Sequence, residues 1–211
     1  MKRKFLTTCF HIFICLLFTL SILAIVYSIG RATGKPLSGL TMDPAETFHA
    51  VPYVGILSYL GIMLWAATFG VCLIGGLILR QQHCHPGRFL LATAMFSLLL
   101  TLDDALLFHE QIFPHYLHIP QPVVMVSYVV IMTAYLLTFF RLILTTEYIL
   151  FVLALISLGI SAGMDQLLGP SDLENVIEDC FKFTGIVFWF SYFLSTANEM
   201  IQKNPSLNHM T

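Results

Sequence analysis

The chain has 211 residues, 57% of them hydrophobic and 10% charged, with a formal net charge of −2. Soluble domains are about 25% charged, so a soluble fold is excluded, and no basic stripe points to nucleic acid. Five scattered cysteines (Cys9, Cys15, Cys72, Cys84 and Cys180) are an odd count, three of them inside apolar runs, which excludes a disulfide framework and makes them small packing residues.

Crossing a bilayer takes about 20 predominantly apolar residues in a helix. Six runs qualify, at 5–29, 51–79, 89–110, 122–140, 147–164 and 180–198. None alternates polar and apolar residues as a barrel strand would. The predicted fold is therefore an all-α integral membrane protein, a six-helix bundle forming a single transmembrane domain over 1–211.

The first run follows Lys2, Arg3 and Lys4. It is longer than the roughly 7–15 residues of a cleaved signal core and lacks a small-x-small cleavage site, so it reads as an uncleaved first helix. Between runs one and two, Asp43-Pro44-Ala45-Glu46 has the pattern of a capped helix start with proline in the first turn. A short surface helix is expected there, before Pro52 opens the second run. The third run ends at Phe113-Pro114, which places His109 and Glu110 in its last turn and Asp103 and Asp104 deeper. In the fifth run, Gly159 and Gly163 form a Gly-x-x-x-Gly pair flanked by Ser157 and Ser161. Such residues let helix backbones approach closely, within the bundle or, as the alternative, in a homo-oligomer. Gly169-Pro170 breaks the chain, Ser171 and Glu174 form a second capping box, and one helix is expected from Asp172 to about Met200.

Lys and Arg set the orientation. With the N-terminus cytoplasmic, Lys2, Arg3, Lys4, Arg80, Arg88, Arg141 and Lys203 lie inside, and only Arg31 and Lys35 lie in outer loops. The prediction is N-in and C-in, in a plasma membrane or bacterial inner membrane, with membrane lipids as the surroundings and partners. The acids run the other way: all but Glu147 and Glu199 fall at or near the outer side.

Ionisable residues at membrane depth are costly and face a bundle interior or a wet cavity. Asp103, Asp104, His109 and Glu110 from run three, with Glu178, Asp179 and Lys182 from the last helix, form the candidate site. On a continuous helix Asp103 and Glu110 share one face and His109 lies on another. Glu178 and Lys182 are spaced as an i, i+4 ion pair, and the same face continues through Gly185, Trp189 and Tyr192, as a cavity wall or as helix packing. Five carboxylates against Lys182 leave a surplus of negative charge that low dielectric does not tolerate. Raised pKa values, a bound cation or interfacial water would each relieve it.

Three site chemistries follow. A divalent ion such as zinc or magnesium, held by Asp103, His109, Glu110 and Asp179, would activate water for a lipid-active hydrolase, with Asp103, Asp104, Glu178 and Lys182 as catalytic groups. The same acids would serve a proton- or cation-coupled transporter, or hold a cationic ligand such as an amine. A purely structural network, with Lys182 tying run three to the last helix, is the remaining alternative. His83-Cys84-His85, and His115 with His118, are weaker metal candidates, and His11 reads as packed within the first run.

Asp103-Asp104-x4-His109-Glu110, followed by Glu178-Asp179-x2-Lys182 and Trp189, resembles an uncharacterised group of bacterial multi-pass membrane proteins. The resemblance covers much of the chain and implies a multi-pass membrane protein without a particular activity. Alkaline ceramidase-like hydrolases fit less well, because the chain has no late His-x-x-x-His.

Overall fold

The computed structural model describes residues 2–34, 49–51, 53–80, 84–167 and 172–203. The predicted surface helix at Asp43–Glu46, the Gly169-Pro170 break, the Ser171 cap and His83 lie outside these residues. The chain falls into two units, Met1–Val54 and Gly55–Thr211.

The first unit carries α1 (Lys2–Thr33). The hydroxyls of Ser21, Ser28 and Thr33 donate back to the carbonyls of Leu17, Ala24 and Ile29 at 2.8, 2.7 and 2.8 Å. This is how a helix satisfies hydroxyls where water does not.

The second unit contains α2 (Ile56–Arg80), α3 (Cys84–Leu106), a π-helical segment (Phe108–Tyr116), α4 (Gln121–Ile143), α5 (Tyr148–Leu167) and α6 (Asp172–Gln202). The described residues are otherwise turns and short connections, with no strand among them. Each of the six predicted runs falls on an α-helix. Stretches Ile56–Arg80, His85–Leu106, Gln121–Ile143 and Tyr148–Asp165 are long and apolar enough to cross a membrane. The third run was expected to continue to 110, but its helix stops at Leu106.

α2 packs on α3 and α6, and α6 packs along α5, whereas α4 meets its neighbours sparsely. The core is a set of apolar positions at helical spacing: Trp65, Cys72 and Leu79 on α2, Phe89, Leu90 and Ala94 on α3, and Ile186, Trp189, Phe193 and Ala197 on α6. Trp189 is its centre, with ring centroids 4.8 Å from Phe193, 5.5 Å from Phe151 and 5.7 Å from Trp65. Trp189 and Tyr192 thus serve helix packing, and it is Trp65 that lines the cavity described below. Buried polar atoms in this layer are paired, as burial requires: Trp189 Nε1 donates to Ser97 Oγ at 3.1 Å, and the Thr93 and Tyr135 hydroxyls lie 2.7 Å apart.

Close helix approach is made at other glycines than those expected. A Cβ added at Gly159 or Gly163 would meet no atom within 4 Å, so these two do not bring backbones together inside the bundle. At Gly185 on α6 an added Cβ would stand 2.7 Å from Leu158 Cγ and 3.0 Å from the Leu158 backbone nitrogen. The side chain can turn away but the backbone of α5 cannot. Gly185→Ala is expected to destabilise the protein by about 1–3 kcal/mol, the usual cost of overpacking. Thermal unfolding in detergent, with Gly159→Ala as the tolerated control, checks this.

Candidate functional site

The site begins at a break in the helix. Leu107 adopts a left-handed conformation with φ 54° and ψ 47°, which is costly for a side chain with a Cβ, and the chain then rewinds as a π-helical segment. Pro114, inside that segment, supplies no N–H and cannot continue a regular α-helix. The wider winding accommodates it, with Gln111 N and Ile112 N both donating to the Leu107 carbonyl at 2.8 and 3.1 Å. Non-glycine left-handed residues and π-segments concentrate at functional sites.

The break changes which side chains meet. Asp103 Oδ1 accepts the His109 backbone N–H at 2.9 Å, and Asp103 Oδ2 lies 2.6 Å from His109 Nδ1. Asp103 therefore caps the new segment and orients the imidazole with one carboxylate. Both residues are buried, at 3% and 9% exposure. Glu110, expected on the Asp103 face, is exposed and stands 3.6 Å from His109 Nε2. The imidazole thus sits between two carboxylates. His109 lies past the end of the apolar stretch His85–Leu106. Burial disfavours its charged form, but the hydrogen bond and charge of Asp103, with Glu110 beyond, outweigh that and raise its pKa above the ordinary imidazole value.

Asp104 forms the second pair. Its Oδ1 lies 2.8 Å from Lys182 Nζ, and its Oδ2 accepts from Trp65 Nε1 at 3.1 Å. One carboxylate so joins α2, α3 and α6. Lys182 reaches across to α3 for its salt bridge, and among the described residues no ion pair links it to Glu178 along α6. Glu178 is half-buried, and its carboxyl is pushed up by burial first and then by the charges of Asp165 and Asp179, against Lys182. Between the start of α4 and the end of α5, Gln121 Nε2 donates to Asp165 Oδ2 at 2.8 Å.

These groups surround the polar end of a cavity of about 310 Å³. Asp103, Asp104, His109, Glu110, Asp165, Glu178 and Lys182 line that end, and Phe96, Leu100, Met132, Leu155 and Leu158 line its apolar depth. Trp65 and Tyr128 complete the wall. Asp179 stands apart: it is exposed and lines a smaller cleft, with Leu57, Ser58 and Gly61, on the other side of Lys182. Of the seven predicted site residues, six share the cavity.

Sequence reasoning missed Trp65, Tyr128 and Gln121. Trp65, one of two tryptophans in the chain, is the one that carried a signal, since a buried indole N–H needs an acceptor. Among the described residues, no group of three or more His, Cys, Asp and Glu is placed to hold a metal ion. The Asp103 carboxylate is instead taken up by His109, and that of Asp104 by Lys182 and Trp65. The His115 ring packs by Tyr116, with centroids 6.5 Å apart.

No curated protein and no solved structure matches the chain. Residues 12–196 match the domain of unknown function DUF8692, and the chain belongs to that family.

Proposed function

We propose that this chain is a six-span membrane protein, with both termini cytoplasmic, that binds a cationic amphiphile at its extracytoplasmic end. One observation carries the reading: a cavity whose depth is apolar and whose mouth holds more carboxylate than base. Among the described residues, Asp103, Asp104, Glu110, Asp165 and Glu178 face only His109 and Lys182 there, an excess of three carboxyl groups over bases even with His109 protonated. An ammonium head among the carboxylates, with an alkyl tail along Phe96, Leu100 and Leu155, satisfies both halves. Glu178 fits this reading: burial first, and then the neighbouring charges of Asp165 and Asp179, push its carboxyl up against the pull of Lys182. Among the described residues no three His, Cys, Asp or Glu are placed to hold the expected divalent ion, so the cation favoured is organic.

The test is binding of dodecylamine, dodecanol and dodecyl sulfate to purified protein in lipid nanodiscs, read by Trp65 fluorescence. Dodecylamine is expected to bind tightest, and the double variant Glu110→Gln, Glu178→Gln to weaken it by roughly tenfold or more, as for lost charge-assisted contacts. Binding indifferent to head-group charge would refute the proposal.

The Asp103–His109 pair favours a second reading, in which the protein is a hydrolase of lipid-like substrates. A carboxylate that fixes Nδ1 leaves Nε2 as the atom to take a proton from water, and Lys182 is near enough to the cavity to stabilise an oxyanion. Transport has less support. The aromatic layer of Phe89, Phe151, Trp189, Tyr192 and Phe193 is fully buried, and its polar neighbours Ser97, Thr93 and Tyr135 already bond one another or Trp189.

A further inference from the structure

One polar atom in the cavity wall is left over. The Tyr128 hydroxyl oxygen is buried and has no hydrogen-bond partner among the described residues. Asp103 is the charged group that the hydroxyl approaches most closely, with Asp104 beyond, but the approach to Asp103 falls short of hydrogen-bond geometry. Both Asp103 oxygens already accept from His109, and both Asp104 oxygens are engaged by Lys182 and Trp65. Tyr128 stands on α4, which meets its neighbouring helices sparsely. A buried hydroxyl without a partner is costly, whereas supplying the partner recovers that cost. The cavity is where the partner must come from, because Tyr128 lines it.

We infer that Tyr128 is a specificity-determining residue, and that the ligand carries a hydroxyl beside its cationic centre: an amino-alcohol amphiphile rather than a simple alkylamine. The inference rests on the proposed cationic-amphiphile site. A hydroxyl suits Tyr128 because a phenol both donates and accepts, and so does an aliphatic alcohol. The adjacent carboxylates would take the ammonium, and the phenol would read its neighbour. A site built to bond a ligand hydroxyl discriminates against the analogue that lacks it, since its own polar atom is then left unpaired.

The experiment compares dodecylamine with the vicinal amino-alcohol of the same chain length, on the full chain in nanodiscs, for wild type and Tyr128→Phe. Wild type is expected to favour the amino-alcohol by roughly three- to tenfold, the worth of one neutral hydrogen bond. Tyr128→Phe, which keeps the ring and removes only the oxygen, is expected to abolish that preference by weakening the amino-alcohol alone. Equal affinities on wild type would overturn the inference without any appeal to the variant, leaving the cationic site intact. A preference that survives Tyr128→Phe at unchanged melting temperature would overturn it too, by assigning the hydroxyl to another residue. If neither amine binds, the underlying reading fails, and this one with it.

Discussion

Asp104→Ala is expected to lower the stability of the bundle by about 2–3 kcal/mol, because it strands two groups at once. Lys182 Nζ loses its 2.8 Å partner and the Trp65 indole N–H loses its acceptor. Removing one member of a buried ion pair typically costs about 3–5 kcal/mol, since the other charge remains in a poor dielectric. The Asp104 side chain is 10% exposed but that of Lys182 is 34% exposed, so water screens part of the loss and the lower end applies. The double variant Asp104→Ala, Lys182→Met separates causes. With no charge left to strand, it is expected to recover more than half of the single-variant loss, a non-additivity typical of directly paired groups. Thermal unfolding in detergent of the two single variants and the double one reads this. Additive losses would show that Asp104 acts through packing alone, and that the tie between α3 and α6 is not electrostatic.

The residues of this pair were legible in the sequence, and their partnership was only half so. Composition forces apolar helices, and an aspartate and a lysine at membrane depth must find each other or water. Spacing along one helix favoured Glu178 as the partner of Lys182, but an i, i+4 ion pair at a surface contributes only tenths of a kcal/mol. A cross-helix carboxylate already fixed by Trp65 outweighs that. The glycines show the same limit. Gly159 and Gly163 have the spacing that permits close approach, and yet Gly185 makes it, because the packing partner of a face is not encoded in the face. Helix α6, with its start at Asp172 and its unbroken course past Lys182, followed from local signals alone. Local signals fail at Leu107, where nothing in Ala105-Leu106-Leu107-Phe108 announces a break. Pro114, seven residues on, is the visible cause of irregular winding, but where the chain would leave the α-helix depends on tertiary demands. As a result the sequence paired Asp103 with Glu110 on one face, and the folded chain pairs it with His109.

That pairing yields the second large effect. Asp103→Ala is expected to cost about 2–4 kcal/mol, combining an orphaned buried N–H at His109 with the loss of the imidazole's closest carboxylate. Part of that cost depends on pH, and its sign is fixed by the direction of the His109 shift. The pKa of His109 is raised in the folded protein, so its protonated form binds the fold better than the neutral form does. This contribution is fully present below the unfolded value of about 6.5 and fades as pH rises through the higher folded value. The gap in stability between wild type and Asp103→Ala should therefore be widest in acid and narrow towards alkaline pH, without closing, because the capping bond from Asp103 Oδ1 to the His109 N–H does not titrate with the ring. Asp103→Asn isolates the two roles. An amide oxygen can still accept the backbone N–H, so this variant should keep most of the capping energy, while the pH-dependent part should largely disappear with the carboxylate charge. Unfolding curves for the three proteins, collected across the range in which imidazole titrates, distinguish the cases. A gap that is flat with pH would mean that His109 does not carry its proton in the folded state. It would leave His109 as a neutral acceptor at Nε2, which is the form a general base requires and a cation site does not.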